Sequence, residues 1–237
     1  MTGESTDGSP RVVVLDIEGT VAPIAFVHDV LFPYARARLG SFLERRADEG
    51  EVAGALADLE VMAPGAPPVE TLHALMDQES KVGPLKAIQG GIWEEGFAAG
   101  DLHSEFYPDV APTLAAWHAA GVRLAVFSSG SERAQRLLLS HVDGQDLTPL
   151  FDGFFDTRVG GKREAASFAA IARGLGEAPA AVLFLSDVEA ELDAAAKAGL
   201  LTCQIVRPED GTVASDRHET CADLPSVAHR HGLPGAG

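Results

Sequence analysis

Four runs of consecutive apolar residues stand out along the chain, at 12–15 (VVVL), 122–127 (VRLAVF), 181–185 (AVLFL) and 201–206 (LTCQIV). Apolar on successive rather than alternate positions, they predict strands covered on both faces, as in a parallel sheet. Phe154 and Phe155 mark the start of a fifth, shorter strand. Between these runs the spacing turns helical. Residues 110–120 carry Leu114 and Trp117 on one face and stop at Gly121, residues 131–141 open on a capping serine, and residues 164–175 stack Phe168, Ile171 and Leu175. Strand and helix alternate, which predicts an α/β fold.

The exception is the interval from about Ala22 to Glu105, where several helical patterns and no strand are found. Val27, Leu31, Tyr34, Leu39 and Phe42 fall near one helical face, as do Leu72, Leu75 and Met76, and then Leu85, Ile88 and Ile92. The interval is far too long for a strand-to-helix connection and predicts an inserted all-helical subdomain, with a loop at Pro64 to Pro68. The expected organisation is a discontinuous core of residues 11–22 and 106–237, a helical cap of residues 23–105, and a loose, polar tail at residues 1–10. Polar composition and Gly-Pro punctuation leave the stretch beyond Pro208 weakly specified.

Composition narrows the possible partners. The chain has 237 residues, 46% of them hydrophobic, enough to bury a core without staples, and its formal charge of −17 repels phosphate backbones and anionic lipid alike. Nucleic acid and membrane are not expected as partners. The start of the chain has neither a basic nor an apolar stretch, and no long apolar run occurs, so a cytoplasmic monomer is the expectation. Cys203 and Cys221 are too few for a disulfide framework and read as reduced thiols, and the histidines lack the spacing of a zinc site.

Candidate chemistry gathers at the strand ends. The first strand ends in Asp16-Ile17-Glu18-Gly19-Thr20, placing two acids where an open parallel sheet binds ligands and where they can share a hard cation. The second ends in Ser128-Ser129-Gly130-Ser131, whose hydroxyls and amides at a helix start suit an anion. Lys162 follows Gly160 and Gly161, and the fourth run ends in Ser186-Asp187, with Glu189 and Glu191 just beyond. Each segment also has an ordinary reading, as an acidic turn, an N-cap, a solvated lysine or a helix cap. Their convergence on one sheet edge suits a phosphoryl group, with a cation and lysine neutralising its oxygens while a carboxylate attacks phosphorus.

The order DIEGT, FSSGS, Lys162, FLSD resembles the haloacid dehalogenase superfamily of aspartate-nucleophile phosphatases, a Rossmann-like parallel sheet with an inserted cap. The stretches DIEGTVAPIAFVHDVLFPYARARL, VFSSGSERAQRLLLSH, GFFDTRVGGKREAASF and VLFLSDVEAELDAAAKAG resemble, within it, the enolase-phosphatase (acireductone synthase) family of methionine salvage, over roughly residues 12–208. The resemblance implies Asp16 as nucleophile and Mg²⁺ ligand, Glu18 and Asp187 completing the metal shell, Ser128 and Ser129 holding phosphate, and Lys162 pairing with phosphate and Asp16. Most of the wider superfamily carries Asp where this chain has Glu18; the longer glutamate agrees with the enolase-phosphatase branch, and the resemblance implies a double duty for it as ligand and proton carrier. Glu189 and Glu191 are candidate helpers. The implied substrate is 2,3-diketo-5-methylthiopentyl-1-phosphate, enolised and then dephosphorylated to 1,2-dihydroxy-3-keto-5-methylthiopentene through an aspartyl phosphate. The alternatives are a related phosphatase acting on another small phosphorylated metabolite, and a phosphate-accepting signalling module. A long insertion after the first strand argues against the module. The inserted helices read as a lid, and Phe26, His28, Phe32 and Tyr34 at its start as packing.

Overall fold

The computed structural model describes residues 9–235. Most of the expected tail therefore lies outside the described residues, although Pro10 is buried. The chain divides into two compact units, one formed by residues up to Ile24 together with those from Glu105 onward, the other by Ala25–Ser104.

The first unit is a six-stranded sheet of β1 (Val12–Leu15), β2 (Arg123–Phe127), β3 (Phe151–Phe155), β4 (Val182–Ser186), β5 (Leu201–Ile205) and β6 (Glu219–Cys221). The order is β3-β2-β1-β4-β5-β6, and every pair is parallel. All four β1 side chains are buried because both flanking strands and both faces are covered. The chain fills the sheet from β1 outward to β3 and then restarts on the other side at β4, which makes the carboxyl ends of β1 and β4 the switch point where open α/β sheets bind ligands.

The second unit is helical: α1 (Phe32–Arg46), α2 (Gly50–Met62), α3 (Pro68–Asp77) and α4 (Gly83–Ala99), preceded by a widened helical stretch at Phe26–Leu31. Its core is built from Ala35, Leu39 and Phe42 of α1, Leu59 of α2, Leu72 of α3, and Leu85, Ile88 and Ile92 of α4. Gly91 lets α4 approach the Phe42 ring, which a Cβ there would meet at 2.8 Å.

Back in the sheet unit come α5 (Val110–Ala119), α6 (Glu132–Leu139), α7 (Ala165–Gly174), α8 (Glu189–Lys197) and α9 (Leu224–His231). One sheet face packs Val12, Val14, Ala125, Phe127, Val182 and Phe184 against Phe168 and Ile171 of α7 and Leu192 of α8. The Phe168 ring meets Phe127 and Phe184 edge-on, with centroids 5.4 and 4.8 Å away. Two expectations are corrected. The third strand starts at Phe151 rather than Phe154, because edge pairing with β2 accepts Asp152 and Gly153, which break the apolar run. The stretch beyond Pro208 holds β6 and α9: β6 pairs with β5, and Asp223 caps α9 by accepting the Ser226 N–H at 2.8 Å.

Candidate active site

Register brings the first and fourth segments together. Leu15 of β1 stands opposite Leu185 of β4, and the Asp16 N–H donates to the Leu185 carbonyl at 2.9 Å, so Asp16 and Ser186-Asp187 leave the sheet side by side. Lys162 reaches the same point from the loop after β3. Its Nζ lies 2.6 Å from Asp16 Oδ1 and 2.7 Å from Glu191 Oε2, and all three groups are buried. Burial alone would lower the lysine, but the Asp16 and Glu191 charges outweigh it and hold the ammonium above its usual range. The Ile17 N–H also donates to Asp16 Oδ1, at 2.8 Å, so both of these donors fall on the same carboxylate oxygen.

Asp187 is arranged differently. Its Oδ1 is buried without a hydrogen-bond partner, and burial followed by the charge of Asp16 pushes its carboxyl up to about 7. A Cβ on Gly19, which adopts φ +72°, would stand 2.6 Å from Asp187 Oδ2; the loop after β1 closes on this carboxylate only because that position is glycine. Two acids held together, Asp16 buried and Asp187 half-buried with one orphaned oxygen, are a donor set that fits a hard divalent cation. Among the described residues no three acidic, His or Cys side chains form a ready cage, and Glu18 is half-buried on the turn. That still fits Mg²⁺, which binds through one or two carboxylates and keeps several waters.

Of the two candidate helpers, Glu191 is the one at the site. Ser186 Oγ donates to its Oε2 at 3.0 Å, and burial and the Asp16 charge push it up to about 7 against the pull of Lys162. Glu189 bonds instead to Ser215 and Arg217.

The serine segment is only partly as expected. Ser128 is buried; its N–H donates to the Phe155 carbonyl at 3.2 Å and its Oγ accepts the Gly130 N–H at 3.2 Å, which leaves the hydroxyl proton to offer an anion. Ser129 is half-buried beside it. The α6 start is not an open anion site, because the Glu132 N–H goes to Asp156 Oδ2 and the Ala134 N–H to Ser131 Oγ. Asp156, just past β3, was not singled out in the sequence. Burial opposes its charge, yet Arg158 and the two amides hold it below the usual carboxylate range.

A second buried network braces the loop after β1. Arg207 donates to the Thr20 carbonyl through Nε (3.3 Å) and Nη2 (3.1 Å) and grips both oxygens of Asp109 at 2.9 and 3.0 Å. Asp210 accepts the Ile24 N–H at 3.2 Å and the Tyr107 hydroxyl. None of these four side chains belongs to a recognisable motif in the sequence.

A haloacid dehalogenase-like hydrolase family model matches residues 10–199. The chain belongs to that family. Among the haloacid dehalogenase-like hydrolases it is 67% identical over 225 residues to the enolase-phosphatase E1 of Acidiphilium cryptum, covering 95% of this chain and 97% of that one. It is 57% identical over 230 residues to the enolase-phosphatase E1 of Gluconacetobacter diazotrophicus, with 97% of each chain covered. Such identity places it in the enolase-phosphatase branch and makes it a phosphatase. Among solved structures, the UTR4 protein of Saccharomyces cerevisiae superposes with a TM-score of 0.76 at 30% identity, over 90% of this chain and 98% of that one. CbbY of Rhodobacter sphaeroides, solved with phosphate, shares the fold at a TM-score of 0.59 and 20% identity, covering 89% and 92%. Haloacid dehalogenase-like phosphatases generally use a divalent metal, in keeping with the Asp16 and Asp187 pair.

Proposed function

We propose that the chain is a Mg²⁺-dependent enolase-phosphatase of methionine salvage. It converts 2,3-diketo-5-methylthiopentyl-1-phosphate to 1,2-dihydroxy-3-keto-5-methylthiopentene and phosphate. The observation that carries the reading is the buried Asp16 carboxylate, engaged on Oδ1 by Lys162 and the Ile17 N–H, beside an Asp187 oxygen with no hydrogen-bond partner.

Asp16 Oδ2 attacks phosphorus, the bond to the substrate's ester oxygen breaks, and an aspartyl phosphate forms; water then attacks phosphorus, releasing phosphate and restoring Asp16. Asp16, Asp187 and Glu18 would hold the Mg²⁺, which would supply positive charge to the phosphoryl oxygens and to a developing enediolate. Lys162 adds a second positive charge and fixes the rotamer of Asp16, while Glu191 fixes the lysine. Ser128 and Ser129 donate hydroxyl hydrogen bonds to the phosphate. Glu18, two residues beyond the nucleophile, carries a proton to the leaving oxygen and is the nearest candidate base for enolisation.

The test is an ultraviolet assay with the diketone phosphate, run alongside phosphate release. Both an enol chromophore and free phosphate are expected from the parent, and neither free phosphate nor an unfolded protein from Asp16→Asn, whose amide cannot attack phosphorus. Phosphate without a chromophore would assign a simpler phosphatase acting on another small phosphorylated metabolite. Substantial turnover by Asp16→Asn would remove Asp16 from its role.

A further inference from the structure

Asp187 has a charged end with an orphaned oxygen, but its peptide group is fully engaged. Its N–H donates to Thr20 Oγ1 at 3.0 Å, and its carbonyl accepts from Gln204 Nε2 at 2.8 Å. Gln204 lies on β5, 2% exposed, with every strong group of its amide in use. Nε2 donates also to the Val213 carbonyl at 3.1 Å, and Oε1 accepts the Ser215 N–H at 2.7 Å. Two carbonyls and one N–H around one amide admit a single orientation of that amide. A buried glutamine whose amide joins one strand-end acid to the loop after β5 is not required by the sheet, since strand pairing uses the backbone alone.

We infer that Gln204 is a positioning residue for cation binding, holding the Asp187 peptide so that its carboxylate stays beside Asp16 before the cation arrives, and tying that site to residues 211–215. The inference rests on the reading of Asp187 as a cation ligand. The buried Asp16 carboxylate and the half-buried Asp187 carboxylate repel one another, and an untethered Asp187 would relieve this by turning toward water; the cation would then have to restore the geometry at the expense of affinity. With the peptide pinned on both sides, by Thr20 and Gln204, that cost is met on folding. Arg207, through its two bonds to the Thr20 carbonyl, stiffens the Thr20 side of the clamp.

The experiment is Mn²⁺ binding to the folded full chain by electron paramagnetic resonance, with no substrate present, on the parent, Gln204→Met and Asp187→Asn. Gln204→Met keeps the side-chain length and loses the amide. It is expected to weaken Mn²⁺ at least fivefold, and Asp187→Asn to weaken it further. A merely structural glutamine would lower the melting temperature and leave the affinity of the folded protein alone. A change under fivefold in Gln204→Met with a large loss in Asp187→Asn overturns the role of Gln204 and leaves the cation reading standing. Unchanged binding in Asp187→Asn overturns the cation reading and this inference with it. Should Gln204→Met fail to fold, hydrogen exchange of the parent decides: added Mg²⁺ should slow exchange in a peptide spanning residues 211–215, and unaltered exchange there refutes the coupling.

Discussion

Replacing Lys162 by alanine removes the ammonium that lies between Asp16 and Glu191, at 2.6 and 2.7 Å, and leaves two buried carboxylates without it. Breaking a buried ion pair by removing one partner costs about 3–5 kcal/mol, because the remaining charge is uncompensated. The penalty falls on the ionised form, so it must depend on pH. Glu191 already sits at about 7 with Lys162 pulling it down, and without the lysine it moves higher. A carboxyl raised in the fold binds protons more tightly than in the unfolded chain, so acidification stabilises the folded variant relative to high pH. Lys162→Ala should therefore lose about 3 kcal/mol or more at pH 8 and recover much of it near pH 5.5, where the carboxyls are protonated. Urea unfolding in EDTA at the two pH values measures this, and kcat for phosphate release should fall at least tenfold, about 1.4 kcal/mol of barrier. A pH-independent loss under about 0.5 kcal/mol, the scale of a surface substitution, would refute the buried triad.

Protons and the cation compete at Asp187. With its carboxyl at about 7 in the metal-free protein, apparent Mg²⁺ affinity should fall about tenfold between pH 8 and pH 6 by calorimetric titration, and a flat profile would contradict this. The same raised carboxyl makes the metal-free fold gain stability as pH drops from 8 toward 5, a gain that Asp187→Asn should reduce in thermal melts to the part contributed by Glu191. Gly19→Ala puts a Cβ 2.6 Å from Asp187 Oδ2 at φ +72°; a loss of about 1–2 kcal/mol together with weakened cation binding is expected, and parent-like affinity would show that the loop yields freely. Arg207→Met strands Asp109 beneath the loop after β1 and should cost about 3–5 kcal/mol in urea, whereas a loss under about 1 kcal/mol would make the network dispensable.

Much of the fold is legible because β1, β2, β4 and β5 are short apolar runs separated by helical spacing, and burial on both faces of a parallel sheet produces that signature. β3 is blurred by Asp152 and Gly153, tolerated at an edge, and β6 has only three residues, ETC, whose place is set by pairing with β5 rather than by any pattern of their own. In the site, Asp16 and Asp187 are legible as acids at the ends of apolar runs, and Lys162 as a lysine following two glycines ahead of a helix. Glu191 is harder to tell from Glu189, since both fall in the first turn of α8 and only the helix's rotation turns one toward Lys162. Gln204 and Arg207 are illegible because their partners, Asp187 and Thr20, lie 17 and 187 positions away in the chain. The open amides expected at the α6 start fail for the same reason: Asp156 claims one of them from 24 residues downstream.

The covalent step is where the account is most exposed. Acid quenching during turnover, followed by borohydride reduction, converts an aspartyl phosphate to homoserine, which peptide mass spectrometry can place. The account predicts homoserine at position 16, absent when the diketone phosphate is omitted. Turnover without modification of that peptide, or instead homoserine at position 187 or 5-hydroxynorvaline at position 18, would contradict it.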